Sequence, residues 1–159
     1  MRSELADRLR ELVGQVPDPE IPVLTIADLG VLRRVEVSDD GRVEVEITPT
    51  YSGCPAMDMI RADIVDRLAA AGHPDAEVRV VLSPAWTTDW MTEEGKRKLR
   101  EYGIAPPGPA GRVMVRLSVK CPRCGSPDTR EVSRFGSTAC KALYTCDSCL
   151  EPFDHFKAI

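Results

Sequence analysis

Two cysteine pairs near the end of the chain constrain its fold more than any other feature. Cys121 and Cys124 form one C-x-x-C pair, and Cys146 and Cys149 form the other, with residues 125–145 between them. Two residues between thiolates make a tight turn, here called a knuckle, that directs both sulfurs at one ion. Two knuckles supply four ligands, so the spacing predicts a zinc ribbon whose structural metal site is closed and catalyses nothing.

The type of metal is open to two interpretations. Four thiolates bind zinc in structural sites, but they also hold iron in rubredoxin-type electron carriers. We expect zinc, because it is the commoner structural occupant. Cys140 is a further thiol in this region. It is either a small buried apolar residue, which we favour, or a spare ligand.

A proline- and glycine-rich segment divides the chain. Residues 105–111 read Ala-Pro-Pro-Gly-Pro-Ala-Gly, a composition that disfavours both helix and central strand. We therefore predict a first domain over residues 1–104, a connector over 105–111 and the zinc ribbon over 112–159. Within the ribbon, an alternating pattern predicts a strand at 112–120. We expect two or three further short strands, at 129–133, 141–145 and 152–156.

The first region mixes helical and strand patterns. Helical spacing of apolar residues predicts one helix that ends before Pro17 and a second helix over 55–71. A short charged helix is expected over 92–102. Alternating apolar residues predict strands at 31–37, 43–48 and 77–82, the first two joined as a hairpin. The order α-β-β-α-β-α predicts an α+β domain in which helices cover one face of a small mixed sheet.

Composition excludes several classes of function. Lys and Arg total 21 and Asp and Glu total 25, so the net charge is −4, unlike the basic excess of nucleic-acid binders or polybasic membrane anchors. No apolar run approaches the roughly 18 residues that a membrane span needs, and the charged N-terminus is unlike a signal peptide. We therefore expect a cytoplasmic protein that binds neither nucleic acid nor membrane. The sequence has 2 histidines, which leaves few groups for acid–base catalysis, and we expect no catalytic residues.

A lone cysteine marks a second candidate site. Cys54 precedes Pro55, and proline suits the first position of a helix, so Cys54 is predicted to be the N-cap of the second helix. Exposed amides and the helix dipole at that position favour a thiolate. Cys54 is therefore a reactive thiol or metal-cluster ligand, or else a partly buried capping residue without chemistry. Its position alone favours neither interpretation.

Two acids, Asp18 and Glu20, lie in a short loop that also contains three prolines. Proline rigidity holds the two carboxylates in place at low entropic cost. Such a loop could ligate a metal or orient a thiol, but it could equally be a solvated turn that ends a helix. Asp28 adds a third acid just before the first predicted strand.

These motifs together resemble a known family. The first group resembles the SufT-like domain of iron–sulfur assembly factors and comprises Asp18-Pro-Glu-Ile-Pro22, Asp28-Leu-Gly30 and Thr48-Pro-Thr-Tyr-Ser-Gly-Cys54-Pro. The second group is similar to the PaaD family, which is encoded with phenylacetyl-CoA epoxidase, and comprises Trp86-Thr-Thr-Asp-Trp90-Met and residues 135–144 and 151–156. The resemblance covers nearly the whole chain.

The resemblance implies an accessory, non-catalytic subunit of the ring-epoxidising monooxygenase of aerobic phenylacetate degradation. Its implied partners are the oxygenase and reductase subunits of that complex. The chain would mature or deliver the iron–sulfur cluster of the reductase, with the cluster as transient cargo. Cys54 would be the cluster-handling thiol, and Asp18 and Glu20 would be the neighbouring acids. The four ribbon cysteines would hold zinc, and the ribbon would serve as a docking module.

Three other functions remain as alternatives. The first is a general iron–sulfur assembly factor, and the second is a ribbon-type electron carrier that holds iron. The third and least favoured is a zinc-ribbon protein that binds nucleic acid. The sequence contains no paired Glu-x-x-His helices for a di-iron centre and no dinucleotide-binding fingerprint, as expected for a chain that assists an oxygenase and a reductase.

Overall fold

The computed structural model describes residues 1–51, 53–110 and 118–159. These residues form two units, Met1–Trp86 and Thr87–Ile159. The predicted strand at 112–120 lies mostly outside the described residues, and its last part, 118–120, is not in a strand. Within the described ranges, no helix has both the length and the apolar character needed to cross a membrane.

The described part of the first unit packs helices around a three-stranded sheet. In chain order the elements are α1 (Arg2–Gly14), α2 (Ile26–Leu29), β1 (Leu32–Val37), β2 (Val43–Ile47), α3 (Ala56–Ala70) and β3 (Glu77–Val80). The strand order is β1-β2-β3, and β2 runs antiparallel to β1 and parallel to β3, so the sheet is mixed as predicted.

The core of the first unit follows the two periodicities that the sequence shows. Every second residue of β2 is buried, as expected for a strand with one buried face. In α3 the buried residues recur mainly three or four positions apart, which places them on one side of the helix. Fully buried side chains of this core include Val13, Val45, Ile47, Ile64 and Leu68.

The helix α2 was not predicted, although its sequence carries a capping motif. The Thr25 hydroxyl accepts a hydrogen bond from the Asp28 amide at 3.1 Å, and the Asp28 carboxylate accepts one from the Thr25 amide at 3.0 Å. This reciprocal pair is a capping box, and Gly30 ends the helix with a φ of 73°. Asp28, the third acid of the sequence analysis, therefore has a structural role.

The described part of the second unit joins a helix to a four-stranded sheet of order β4-β7-β6-β5. β4 is parallel to β7, whereas β6 is antiparallel to both β5 and β7. After a short 3-10 turn at Thr88–Trp90, the elements are α4 (Glu93–Glu101), β4 (Ile104–Ala105), β5 (Thr129–Ser133), β6 (Lys141–Cys146) and β7 (Pro152–Phe156).

The boundary between the units differs from the predicted domain boundary at residue 104. The predicted connector begins at Ala105, but Ile104–Ala105 forms the strand β4 at the edge of the ribbon sheet, where it pairs with β7. The helix α4 packs near β4 and belongs to the second unit. Trp86 is buried at the end of the first unit, where its indole N–H donates to the Leu29 carbonyl at 2.8 Å. The α+β class is confirmed, but the last helix of the predicted order lies with the ribbon.

Candidate functional site

The four ribbon cysteines converge at one point. Their sulfur atoms all lie within 4.8 Å of one another. Cys121 Sγ is 3.8 Å from Cys149 Sγ, and Cys124 Sγ is 3.6 Å from Cys146 Sγ. A disulfide requires sulfurs about 2.05 Å apart, whereas four sulfurs about 2.3 Å from a tetrahedral zinc ion lie about 3.8 Å apart. The donor set therefore fits a tetrahedral metal ion.

The two knuckles share one backbone pattern. The Gly125 amide donates to the Cys121 carbonyl at 2.8 Å, and the Leu150 amide donates to the Cys146 carbonyl at 3.0 Å. A second hydrogen bond of 3.0 Å closes each turn, and it joins Cys121 to Ser126 and Cys146 to Glu151. Equivalent turns therefore present the two pairs of sulfurs to one position.

The metal site and the ribbon core are one structure. Cys121 and Cys146 are buried, Cys149 is half-buried and Cys124 is exposed. The two buried cysteines also belong to the hydrophobic cluster of the sheet, which further contains Ala105, Ala142, Tyr144 and Phe153. Burial and the neighbouring sulfurs raise the pKa of Cys149 to about 12. The Cys149 amide donates to Cys146 Sγ at 3.5 Å and, together with the Ser148 amide and the Cys124 thiol, lowers the pKa of Cys146 to about 7. A lower pKa favours the thiolate that a metal requires.

Cys140 lies outside this group of four. It is buried, and its sulfur lies 3.0 Å from the Thr138 hydroxyl. Of the two roles considered for Cys140, the structure therefore supports that of a small buried residue.

Cys54 lies half-buried just before α3. The prediction that Cys54 is the N-cap is wrong by one residue, because Pro55 already has helical backbone angles and occupies the cap. Gly53, with a φ of 75°, turns the chain into this position. The left-handed conformation is one that glycine adopts without steric cost, so it suits the residue just before the thiol.

The thiol lies beside the acidic loop. The Tyr51 hydroxyl donates to Glu20 Oε1 at 3.1 Å. It also lies near enough to the Cys54 thiol to lower the pKa of that thiol. Cys54, Tyr51 and Glu20 thus lie together and are called here the thiol site. Sequence analysis missed the role of Tyr51, although this tyrosine stands three positions before the cysteine in the motif that carried the resemblance.

The pKa of Cys54 is raised above its ordinary value. Burial is the main cause, and the negative charges of Glu20 and Asp18 raise it further, while the Ala56 amide and the Tyr51 hydroxyl oppose the shift. The helix terminus does favour the thiolate through the Ala56 amide, but burial and the two carboxylates outweigh that effect. Near neutral pH the thiol keeps its proton, which a metal ligand must lose.

Asp18 organises the loop rather than facing solvent. It is buried, and its Oδ1 accepts hydrogen bonds from the Glu20 amide at 2.7 Å and the Ile21 amide at 2.8 Å. The loop is therefore fixed by this carboxylate as well as by its prolines. Both carboxylates act on Cys54 electrostatically, and Glu20 also accepts the hydrogen bond from Tyr51.

Two family descriptions match separate parts of the chain. Residues 6–80 match the family described as iron–sulfur cluster assembly protein. Residues 105–157 match the family described as the PaaD zinc β-ribbon domain. The first match contains all three residues of the thiol site, and the second contains all four ribbon cysteines.

Named relatives and a solved structure agree with these matches. A protein of Escherichia coli (strain K12), provisionally named as a subunit of 1,2-phenylacetyl-CoA epoxidase, is 53% identical over 93% of this chain and 90% of its own length. The Fe–S protein maturation auxiliary factor SufT of Staphylococcus aureus (strain USA300) is 38% identical over 51% of this chain and 92% of its own length. A crystal structure of a domain of unknown function from Bacillus anthracis aligns with a TM-score of 0.58 at 26% identity, covering 62% of this chain and 93% of that one.

The relationship to the Escherichia coli protein extends across both units, and the relationship to the maturation factor falls on the part that holds Cys54. The resemblance read from the motifs is thereby confirmed. The chain belongs to the PaaD family, in which an iron–sulfur cluster assembly domain precedes a zinc β-ribbon.

Proposed function

We propose that this chain is a cytoplasmic accessory subunit of the phenylacetyl-CoA epoxidase system that matures or delivers the iron–sulfur cluster of the reductase partner. The observation that carries the proposal is the thiol site, where Cys54 lies near Tyr51 and close to two carboxylates, one of which accepts a hydrogen bond from Tyr51. The relative named as an epoxidase subunit supports the pathway, and the relatives named as Fe–S maturation factors support the chemistry. Reduced thiols suit a reducing compartment.

The cluster is the substrate of this activity. On transfer, the Cys54 sulfur forms a bond to an iron atom as another ligand leaves that iron, and the thiol proton passes to Glu20 or to water. The iron atoms keep their oxidation states throughout this ligand exchange. The raised pKa of Cys54 makes the proton a competitor for the sulfur. Such competition favours a short-lived bond, as a delivery step requires.

The ribbon serves a different purpose in this proposal. We infer that its four cysteines hold zinc and that the ion stabilises a docking module. The sulfur separations fit a tetrahedral ion, and the matching family is described as a zinc ribbon. Metal analysis of the native protein together with its visible spectrum tests this inference. Iron in the site, with a colour that bleaches on reduction, would instead favour the electron-carrier alternative.

The experiment for the cluster role compares two cysteine variants of the full chain. Each variant is co-expressed with the reductase, and iron and sulfide are measured per purified reductase. We expect C54S to lower cluster occupancy to the level found without this chain, since serine is a poor ligand for iron. C140A, which removes a thiol outside both sites, should leave occupancy unchanged. Normal occupancy with C54S, in a protein that still folds, would refute the cluster role.

A second measurement separates the pathway-specific role from that of a general assembly factor. The similarity to SufT, which covers about half of this chain, is the observation that favours the general role. Iron–sulfur enzymes outside phenylacetate degradation are therefore assayed in cells that lack this chain. We expect their activities to be unchanged, while reductase activity falls. A loss shared by all of them would shift the function to general maturation.

A further inference from the structure

The two knuckles differ at the residue that follows the second cysteine of each. Gly125 has a φ of 77° after the first knuckle, and Leu150 has a φ of 65° after the second. Both residues donate the same hydrogen bond to the first cysteine of their knuckle. The left-handed conformation suits glycine, whereas a residue with a Cβ is strained there. The turn needs the backbone conformation of Leu150 and gains nothing from its side chain.

The Leu150 side chain does not contribute to the core either. It is 78% exposed, and it lies outside the hydrophobic cluster under the ribbon sheet. A large apolar side chain that faces solvent from a strained backbone weakens the folded state on both counts. Strain of this kind is typical of positions that are retained for binding or catalysis.

Exposed acidic residues lie on both sides of this leucine in the chain. Asp147 and Glu151 lie within the second knuckle and its closing turn, and both are exposed. The Asp147 amide donates to the carbonyl of Asp128, another exposed acid, at 2.8 Å. Arg130 neutralises one of the three, since its Nε lies 3.2 Å from Asp147 Oδ1. Four thiolates around a divalent ion add two further negative charges.

We propose that Leu150 is the anchor by which the ribbon docks on the reductase, entering an apolar pocket whose rim carries Lys and Arg. The apolar tip supplies the buried contact, and the acidic surroundings supply complementarity to a basic rim. The choice of the reductase rests on the proposed function, whereas the role of Leu150 rests on the comparison of the knuckles.

The test measures binding of the full, metal-loaded chain to purified reductase by isothermal titration calorimetry. We expect L150G to bind roughly tenfold or more weakly than the native chain, because a buried leucine contact is lost. Its thermal midpoint should stay equal or rise, because glycine relieves the strained backbone. L150N, which tolerates the same backbone conformation with a polar side chain, should weaken binding in the same way.

A matched control removes another exposed apolar side chain from the same unit. Val132 on β5 is 54% exposed, and V132A should leave the affinity unchanged. The charge reversal E151K should weaken binding, and its effect should shrink at high salt.

Three outcomes would overturn the proposal. Equal affinity of L150G and the native chain would remove Leu150 as the anchor and leave the cluster role standing. Loss of metal and of thermal stability in both Leu150 variants would show that the leucine stabilises the fold and is not a binding anchor. Binding of the native chain to the oxygenase alone would overturn the choice of partner. The cluster role has a separate test, since it would be refuted by normal cluster occupancy of the reductase with C54S.

Discussion

The thiol site and the metal site are held in place by different means. The ribbon cysteines come in two close pairs, and two of the four are also part of the hydrophobic cluster of their own sheet. The thiol site instead joins Tyr51 to Glu20, which lie 31 positions apart in the chain and come together only in the folded first unit. One site therefore helps to create its fold, whereas the other depends on a fold that forms without it.

Metal removal should have the largest effect, because it should unfold the ribbon and leave the first unit folded. Structural zinc supplies on the order of 10–16 kcal/mol to the folding of small zinc domains. Chelation under reducing conditions should therefore abolish the dispersed amide signals of residues 129–156 in an NMR spectrum and leave those of residues 1–80. C121S should act in the same way, and C54S serves as the control that keeps both sets. Native signals from β5 to β7 without metal would contradict this account.

A cavity in the core of the first unit should destabilise that unit and leave the ribbon folded. Leu68 on α3 is fully buried, and L68A should lower the free energy of unfolding of this unit by about 2–5 kcal/mol. The ribbon should keep its metal while the first unit unfolds. Urea denaturation followed by circular dichroism, with metal release monitored by a colorimetric chelator, measures both events. Release of metal in the same transition would show that the two units unfold together.

Removal of the Asp18 carboxylate should loosen the thiol site. D18A leaves the Glu20 and Ile21 amides without their acceptor in a buried loop, at a cost of about 1–3 kcal/mol. Thermal denaturation measures the loss, and hydrogen exchange of the two amides locates it. D7A, which removes an exposed acid from α1, should change neither. Unaltered exchange at Glu20 and Ile21 in D18A would contradict the role assigned to Asp18.

The smallest expected effect concerns the charge of Glu20. E20Q keeps an oxygen that can accept from Tyr51 but removes a negative charge that raises the pKa of Cys54. The pKa of the thiol should fall, so iodoacetamide should alkylate Cys54 roughly two- to tenfold faster at neutral pH. E11Q on α1 is the matched control, and peptide mass spectrometry resolves Cys54 from the other cysteines. A slower reaction in E20Q would reverse the sign and refute the electrostatic explanation.

Local patterns predicted the parts of the structure that depend on neighbours in the chain. The cysteine spacing predicted the metal site, and the short strands expected after it include β5 and β7 with their bounds. The sequence did not reveal that Ala105 adds to the ribbon sheet, because its partner on β7 is His155, far along the chain. The raised pKa of Cys54 escaped prediction for a similar reason. The helix terminus is a local feature, but burial and the charges of the acidic loop come from tertiary structure and outweigh it.

The uneven exposure of the ribbon sulfurs has a consequence for the rate at which the site exchanges its ion. Cys124 is the exposed member of the four, whereas Cys121 and Cys146 are buried. Competing chelators, alkylating reagents and peroxides reach Cys124 before the others. Exchange should therefore proceed in a fixed order in which Cys124 dissociates first, while the two buried sulfurs retain the ion the longest. The lifetime of the bound ion is then set by a single solvent-facing bond.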